Sequence, residues 1–170
     1  FTVGGIRFSK DSLGTVHFDP ATDTLTVQGN SAFTFRGNTV SVAIGSPGNP
    51  GLTLRAGALE NFSFRVTSDI RIGSATIQTT DLLSEYASAT STFRMTGAAS
   101  VKVGTNTIQA AFGDGDTSGL VIQNGSLKDL GFTTSSAVRV GGLVVSTSSL
   151  KAVYEDANDT FHMTGSASFA

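Results

Sequence analysis

The segments TFRMTGAAS (92–100) and TFHMTGSAS (160–168) set Phe93 and Phe161, Met95 and Met163, and Gly97 and Gly165 each 68 residues apart. The register extends through the chain. Gly29 precedes Gly97 by the same interval, Phe18, Tyr86 and Tyr154 match, and so do Gly45 and Gly113, Gly57 and Gly125, and Leu59 and Leu127. GLTLRAGALENFSF (51–64) lies over GLVIQNGSLKDLGF (119–132). Before residue 15 the interval is 69, as from Gly4 to Gly73 and Leu13 to Leu82, which places one extra residue of the first copy near 15–17. Self-similarity at a fixed period is the mark of solenoids, propellers and arrays, in which each unit buries its apolar face partly against its neighbours. The chain of 170 residues reads as two and a half units: repeat 1 over 1–63, repeat 2 over 64–131 and a partial repeat 3 over 132–170.

The pattern inside a unit has the period of a strand. Phe93, Met95, Ala99, Val101 and Val103 alternate with Arg94, Thr96, Ser100 and Lys102, one row apolar and the other polar. In the first unit Leu25, Val27, Gly29, Phe33 and Phe35 form the same inward row. Gly97 sits on that row, where a missing side chain permits a bend. Gly37-Asn38 and Gly104-Thr105-Asn106 are turn sequences, followed by the alternating runs Val40, Val42, Ile44 and Ile108, Ala110, Phe112. These are hairpin signatures. FDPATDT (18–24), YEDANDT (154–160), GSPGNPG (45–51) and GDGDTSG (113–119) are turns of Asp, Asn, Pro and Gly type. The best helical candidate, TTDLLSEYASA (79–89), maps onto SKDSLGTVHF (9–18) and is therefore expected to be a strand. The expectation is an all-β chain with about six short strands per unit. Its expected arrangement is an elongated antiparallel β-solenoid, or a string of small sandwiches sharing one sheet, and not a closed barrel.

Composition narrows the function classes. Charged residues are 14%, against about 25% in an ordinary soluble protein, with Gly, Ser and Thr in their place. Net charge is −2 and the 11 basic residues are scattered, which argues against nucleic acid and anionic membrane as partners. No apolar run reaches the roughly 20 residues of a membrane helix. The absence of Cys removes disulfides, thiol catalysis and Cys-based zinc sites. The opening residues FTVGGIRF are not a signal peptide. The expected location is secreted or on a cell surface.

VHFDPATDTLTVQGNSAFTFRGNTVSVAIG (16–45) resembles the hairpin units of the OstA-like, β-taco proteins that bridge lipopolysaccharide transport. The whole unit, with DTFHMTGSAS, FGDGDTSGLVI and NGSL, is similar to tandem repeats of very large bacterial surface or secreted proteins of the planctomycete type. The second resemblance covers the whole chain. It implies an exported bacterial array and carries over no chemistry.

Candidate sites are few. Asp114 and Asp116 in GDGDTSG are calcium candidates, because acidic loops offer the oxygen ligands that calcium favours. The matching Ser46, Pro47 and Gly48 of the first unit carry no carboxylate, which favours a plain turn, so no cofactor is expected. Asp19 with Asp23, and Asp156 with Asp159, could pair for acid–base work, but the second unit has no acid there and solvated turns are expected. His17 matches Glu85, and His162 matches Arg94 and Thr26, both on the outward row. No G-x-S-x-G elbow and no P-loop is present. Phe33, Phe35, Phe93 and Phe161 are expected in the core rather than on a sugar-binding face. Asn61-Phe62-Ser63, Asn124-Gly125-Ser126 and Asn158-Asp159-Thr160 are glycosylation sequons.

The expectation is a non-enzymatic structural or adhesive array. A binding module holding carbohydrate or an apolar lipid chain in a β-groove is the alternative, and an accessory domain of a secreted hydrolase is disfavoured. Both ends fall in mid-unit: Phe1, Val3 and Ile6 open one inward row and Phe169 closes another. The chain is thus expected to be part of a longer polypeptide or a subunit that stacks head to tail, its partners being adjacent repeats or other copies.

Overall fold

The computed structural model describes residues 1–9, 12–45, 49–140 and 142–169. The expectations for Ser46, Pro47 and Gly48, and for the side chain of Phe169, lie outside the described residues. A short hairpin, β1 (Thr2–Val3) and β2 (Ile6–Arg7), stands apart. The remaining strands are β3 (Ser12–Asp19), β4 (Thr24–Phe35), β5 (Asn38–Ile44), β6 (Leu52–Arg55), β7 (Ala58–Val66) and β8 (Ile70–Ile72). They continue with β9 (Ala75–Ala87), β10 (Thr92–Val103), β11 (Asn106–Phe112), β12 (Gly119–Gln123) and β13 (Ser126–Thr134). The last are β14 (Val138–Val140), β15 (Leu143–Glu155) and β16 (Thr160–Phe169). Single 3-10 turns at Ser88–Thr90 and Asp156–Asn158 are the only helical geometry among the described residues. The run 79–89 is strand as far as Ala87, as expected.

These strands form one large antiparallel sheet, open at β3. The long strand β4 pairs β3 along one edge. On its other edge Thr24–Val27 pairs β6 and Gly29–Phe35 pairs β5, so a broken return strand faces one continuous strand. In the same way β10 pairs β9 on one edge and divides the other between β12 and β11. The division falls at Gly29 (φ 141°) and Gly97 (φ 126°), a backbone conformation that a side chain disfavours. Arg36-Gly37, Ala56-Gly57 and Asn124-Gly125 each place two successive residues at positive φ, the two-residue hairpin that suits strand twist. The extra residue of the first copy lies at Gly14, in a bulge between Leu13 and Thr15, just before the interval expected for it.

Burial follows the alternation. β5 and β11 share one sequence of buried and exposed positions, and β7 and β13 share another. The inward rows meet in a common apolar core containing Val27, Phe33, Phe64, Phe93, Met95, Ile122 and Phe132. Phe8, Phe33, Phe62, Phe64 and Phe93 contact one another at ring separations of 5.0–6.0 Å.

Residues 68 apart are expected to be buried alike, Phe93 with Phe161 and Met95 with Met163, and this expectation fails. Phe93 and Met95 are fully buried, whereas Phe161 is half-buried and Met163 is 38% exposed. The reason is the partner strand. Met95 lies opposite Leu120 of β12 as well as Ser84 of β9, while β16 pairs β15 alone.

Candidate functional site

The arrangement that recurs in this chain is a junction between strands. β7 pairs β9 through Phe64↔Ser84 and Arg65↔Leu83, and β13 pairs β15 through Phe132↔Ala152 and Thr133↔Lys151. Every partner in the second set is 68 residues beyond its counterpart in the first. The rings around the junction keep the same spacing: Phe64–Phe93 at 5.7 Å and Phe132–Phe161 at 6.0 Å, Tyr86–Phe93 at 4.7 Å and Tyr154–Phe161 at 4.9 Å. Polar clasps recur too. Asn38 Nδ2 donates to the Arg71 carbonyl at 3.1 Å and Asn106 Nδ2 to the Arg139 carbonyl at 2.9 Å. The Ser41 amide donates to Ser68 Oγ at 2.8 Å, and the Gln109 amide to Ser136 Oγ at 2.9 Å.

Glycine turns close the junction. A Cβ on Gly4, in the β1–β2 turn, would stand 2.5 Å from Tyr86, and one on Gly73, in the β8–β9 turn, would run first into Asp159 Oδ1 and stand 2.6 Å from the Tyr154 hydroxyl. Gly5 abuts the Asn124-Gly125 turn as closely, with its Cβ position 2.6 Å from the Asn124 carbonyl carbon. Each turn therefore rests on the aromatic residue that ends the corresponding strand one unit later.

The acids at the third turn serve this contact. The Tyr154 hydroxyl donates to Asp159 Oδ1 at 3.0 Å, and the Ser74 amide donates to the same oxygen at 3.2 Å. Arg36 Nη1, at the β4–β5 turn, donates to Asp156 Oδ1 at 2.5 Å and so ties that turn to the one between β15 and β16. Burial first, and then the bond to Asp159, holds the Tyr154 phenol above the usual tyrosine range. Asp156 and Asp159 are thus bound, not simply solvated. The matching of Gly4 with Gly73 and of Tyr86 with Tyr154 was the signal in the sequence that could have indicated it.

The other candidates lie apart. Asp19 accepts the Thr22 hydroxyl at 2.8 Å and the Ala21 amide at 2.9 Å; those bonds, the hydroxyl first, hold its carboxyl below the usual range. His17 is exposed. His162 Nε2 lies 3.1 Å from Glu155 Oε2 on the open surface, and this bond, followed by one from Asn158, lowers the Glu155 carboxyl. Asp114 and Asp116 are exposed. The Asp114 carbonyl accepts the Thr117 hydroxyl at 2.8 Å, and the Asp116 carbonyl accepts the Lys151 ammonium at 3.1 Å. The Asp116 carbonyl thus already faces a charged amine. Among the described residues no group of three or more His, Asp or Glu side chains gathers as metal ligands. The sequon at Asn61 runs through buried Phe62 and Ser63. Among the described residues no helix is long and apolar enough to cross a membrane.

No protein-family model, curated protein or solved structure matches this chain.

Proposed function

We propose that the chain is a non-enzymatic structural or adhesive repeat of an extracellular array, a stalk, fibre or matrix on a bacterial surface. The observation that carries this reading is the junction built twice at the same interval, with strand register, ring spacing, clasps and turn-on-aromatic contact all repeated. A junction that reproduces itself adds units without limit, and an open sheet can be extended where a closed barrel cannot. The acids and histidines do not repeat from unit to unit, as a site needed in each unit would. The reading needs no cofactor, and Asp114 and Asp116 stay as calcium candidates for calorimetry. The groove alternative requires inner rings open to a ligand, and Phe33, Phe64, Phe93 and Phe132 are buried. Its partners are adjacent repeats or further copies.

Electron microscopy of chains carrying two, three and four complete units tests the reading. A particle that lengthens by a constant step per unit is expected, with antibody to the chain labelling intact source cells at their surface. Particles with no regular increment, or labelling confined to the cell interior, would defeat it.

A further inference from the structure

The first unit exposes what the later units cover. Val16 of β3 is 61% exposed, while its matches Ser84 and Ala152 are 0% exposed beneath Phe64 and Phe132. Phe18 is 53% exposed, while Tyr154 at the matching place is 6% exposed under the Gly73 turn. Among the described residues nothing lies within 4 Å of where a Cβ on Gly57 would stand, whereas the matching Asn124-Gly125 turn abuts Gly5. The strand itself is half-used: β9 pairs both β7 and β10, β15 pairs both β13 and β16, and among the described residues β3 pairs β4 alone. These four features belong to one junction. At the opposite side the β14–β15 hairpin leaves Leu143 56% exposed, although its matches Ile6 and Ala75 are buried.

We infer that the face formed by the free edge of β3, Val16, Phe18 and the Ala56-Gly57 turn is a docking site for another unit of this same repeat. The incoming unit sets a strand of the β7 and β13 type against β3, antiparallel, with its aromatic residue opposite Val16. Its first hairpin lays a glycine turn over Phe18 and against Ala56-Gly57, as Gly4 and Gly5 lie over Tyr86 and Asn124-Gly125. The occupant is specified by continuity with the two junctions inside the chain. An unrelated strand could pair with β3 but would not supply the turn. The inference rests on the array reading above.

The chain has no Cys, so Val16→Cys introduces a single reporter thiol. A second protein carries residues 1–69 joined ahead of Phe1, which keeps the register because Phe1 matches Ile70. The Val16→Cys substitution stands only in the original copy, and Ser84→Cys is the buried control in both proteins. Labelling of the Val16→Cys thiol is expected to slow by at least about 100-fold in the extended chain, the scale of protection that a packed junction gives against local opening. Phe18→Cys should slow likewise. Amide exchange reports whether the added unit is folded. If the added unit is protected but the reporter thiol labels as before, the docking face is refuted while the array reading stands. If the added unit is unprotected and the reporter thiol stays reactive, both are overturned.

Discussion

Gly73 lies so close over Tyr154 that a methyl group in place of its hydrogen would stand 2.6 Å from the phenol oxygen and nearer still to Asp159 Oδ1, while Gly4 meets the Tyr86 ring directly. Gly57 has a similar left-handed backbone (φ 75°, against 56° at Gly73), and among the described residues nothing lies within 4 Å of where its Cβ would stand. The two positions separate backbone strain from crowding. Gly57→Ala should cost about 1 kcal/mol, the backbone penalty alone. Gly73→Ala should cost about 2–4 kcal/mol, because overpacking against Tyr154 and Asp159 is added. Urea unfolding of both variants checks this, and equal losses would show that the turn presses on neither Tyr154 nor Asp159.

Met95 and Met163 hold the same place in the pattern with different surroundings. Met95→Ala should cost about 2–5 kcal/mol, and Phe93→Ala about 3–5 kcal/mol, since both side chains are fully buried. Met163→Ala should cost less than about 1 kcal/mol, its side chain having water on one side. A large loss at Met163 would mean that the β16 face is covered in solution.

Ser84 is fully buried, and its hydroxyl oxygen has no hydrogen-bond partner among the described residues. It faces Phe64 and Met95 across the sheet, and its matches are Val16 and Ala152. An unsatisfied buried hydroxyl costs free energy that an apolar group of similar size does not. Ser84→Ala is therefore expected to stabilise by about 1 kcal/mol in chemical denaturation. A clear loss of stability would show that the hydroxyl finds a partner.

The strands were legible because alternation is a local property. The inward rows at 93–103, 25–35 and 108–112 could be read one residue at a time. The turn expected at Gly37-Asn38 was legible from its residues, though its two positive-φ positions are Arg36 and Gly37, while the turn at Asn124-Gly125 reads in the sequence only as part of a sequon. What escaped was set by neighbours in space rather than in sequence. Met163 looks like Met95 in every local respect, and only the absence of a β12 partner for β16 distinguishes them. Asp156 and Asp159 looked like solvated turn acids because Arg36 and Ser74, which bind them, lie far back along the chain. The split of β4 between β5 and β6 is a pairing between strands that no local pattern announces. Gly29 and Gly97 marked the place of the bend but not the change of partner there.

Tyr154 supplies a test by pH. Its hydroxyl donates to Asp159 Oδ1 at 3.0 Å, and its phenol titrates above the usual range, chiefly through burial and then through the Asp159 carboxylate, with Arg36 opposing in part. A folded-state value raised above the unfolded one, about 10, favours the protonated form in the native protein. The stability linked to this proton is then fully present below pH 10 and is lost as pH rises through the higher folded value. Tyr154→Phe keeps the ring on Phe161 and removes both the hydrogen bond and the titration. At pH 7 the variant should be less stable by about 1 kcal/mol, the worth of one intramolecular hydrogen bond. Above pH 10 the wild type should lose stability faster than the variant, so the gap between them should narrow. Other alkaline groups titrate in both proteins and cancel in the difference. Urea midpoints measured from pH 7 to 11.5 decide the matter: a gap that stays constant across that range would mean that the phenol titrates alike in the folded and unfolded chain, and that the turn over Tyr154 does not shield it.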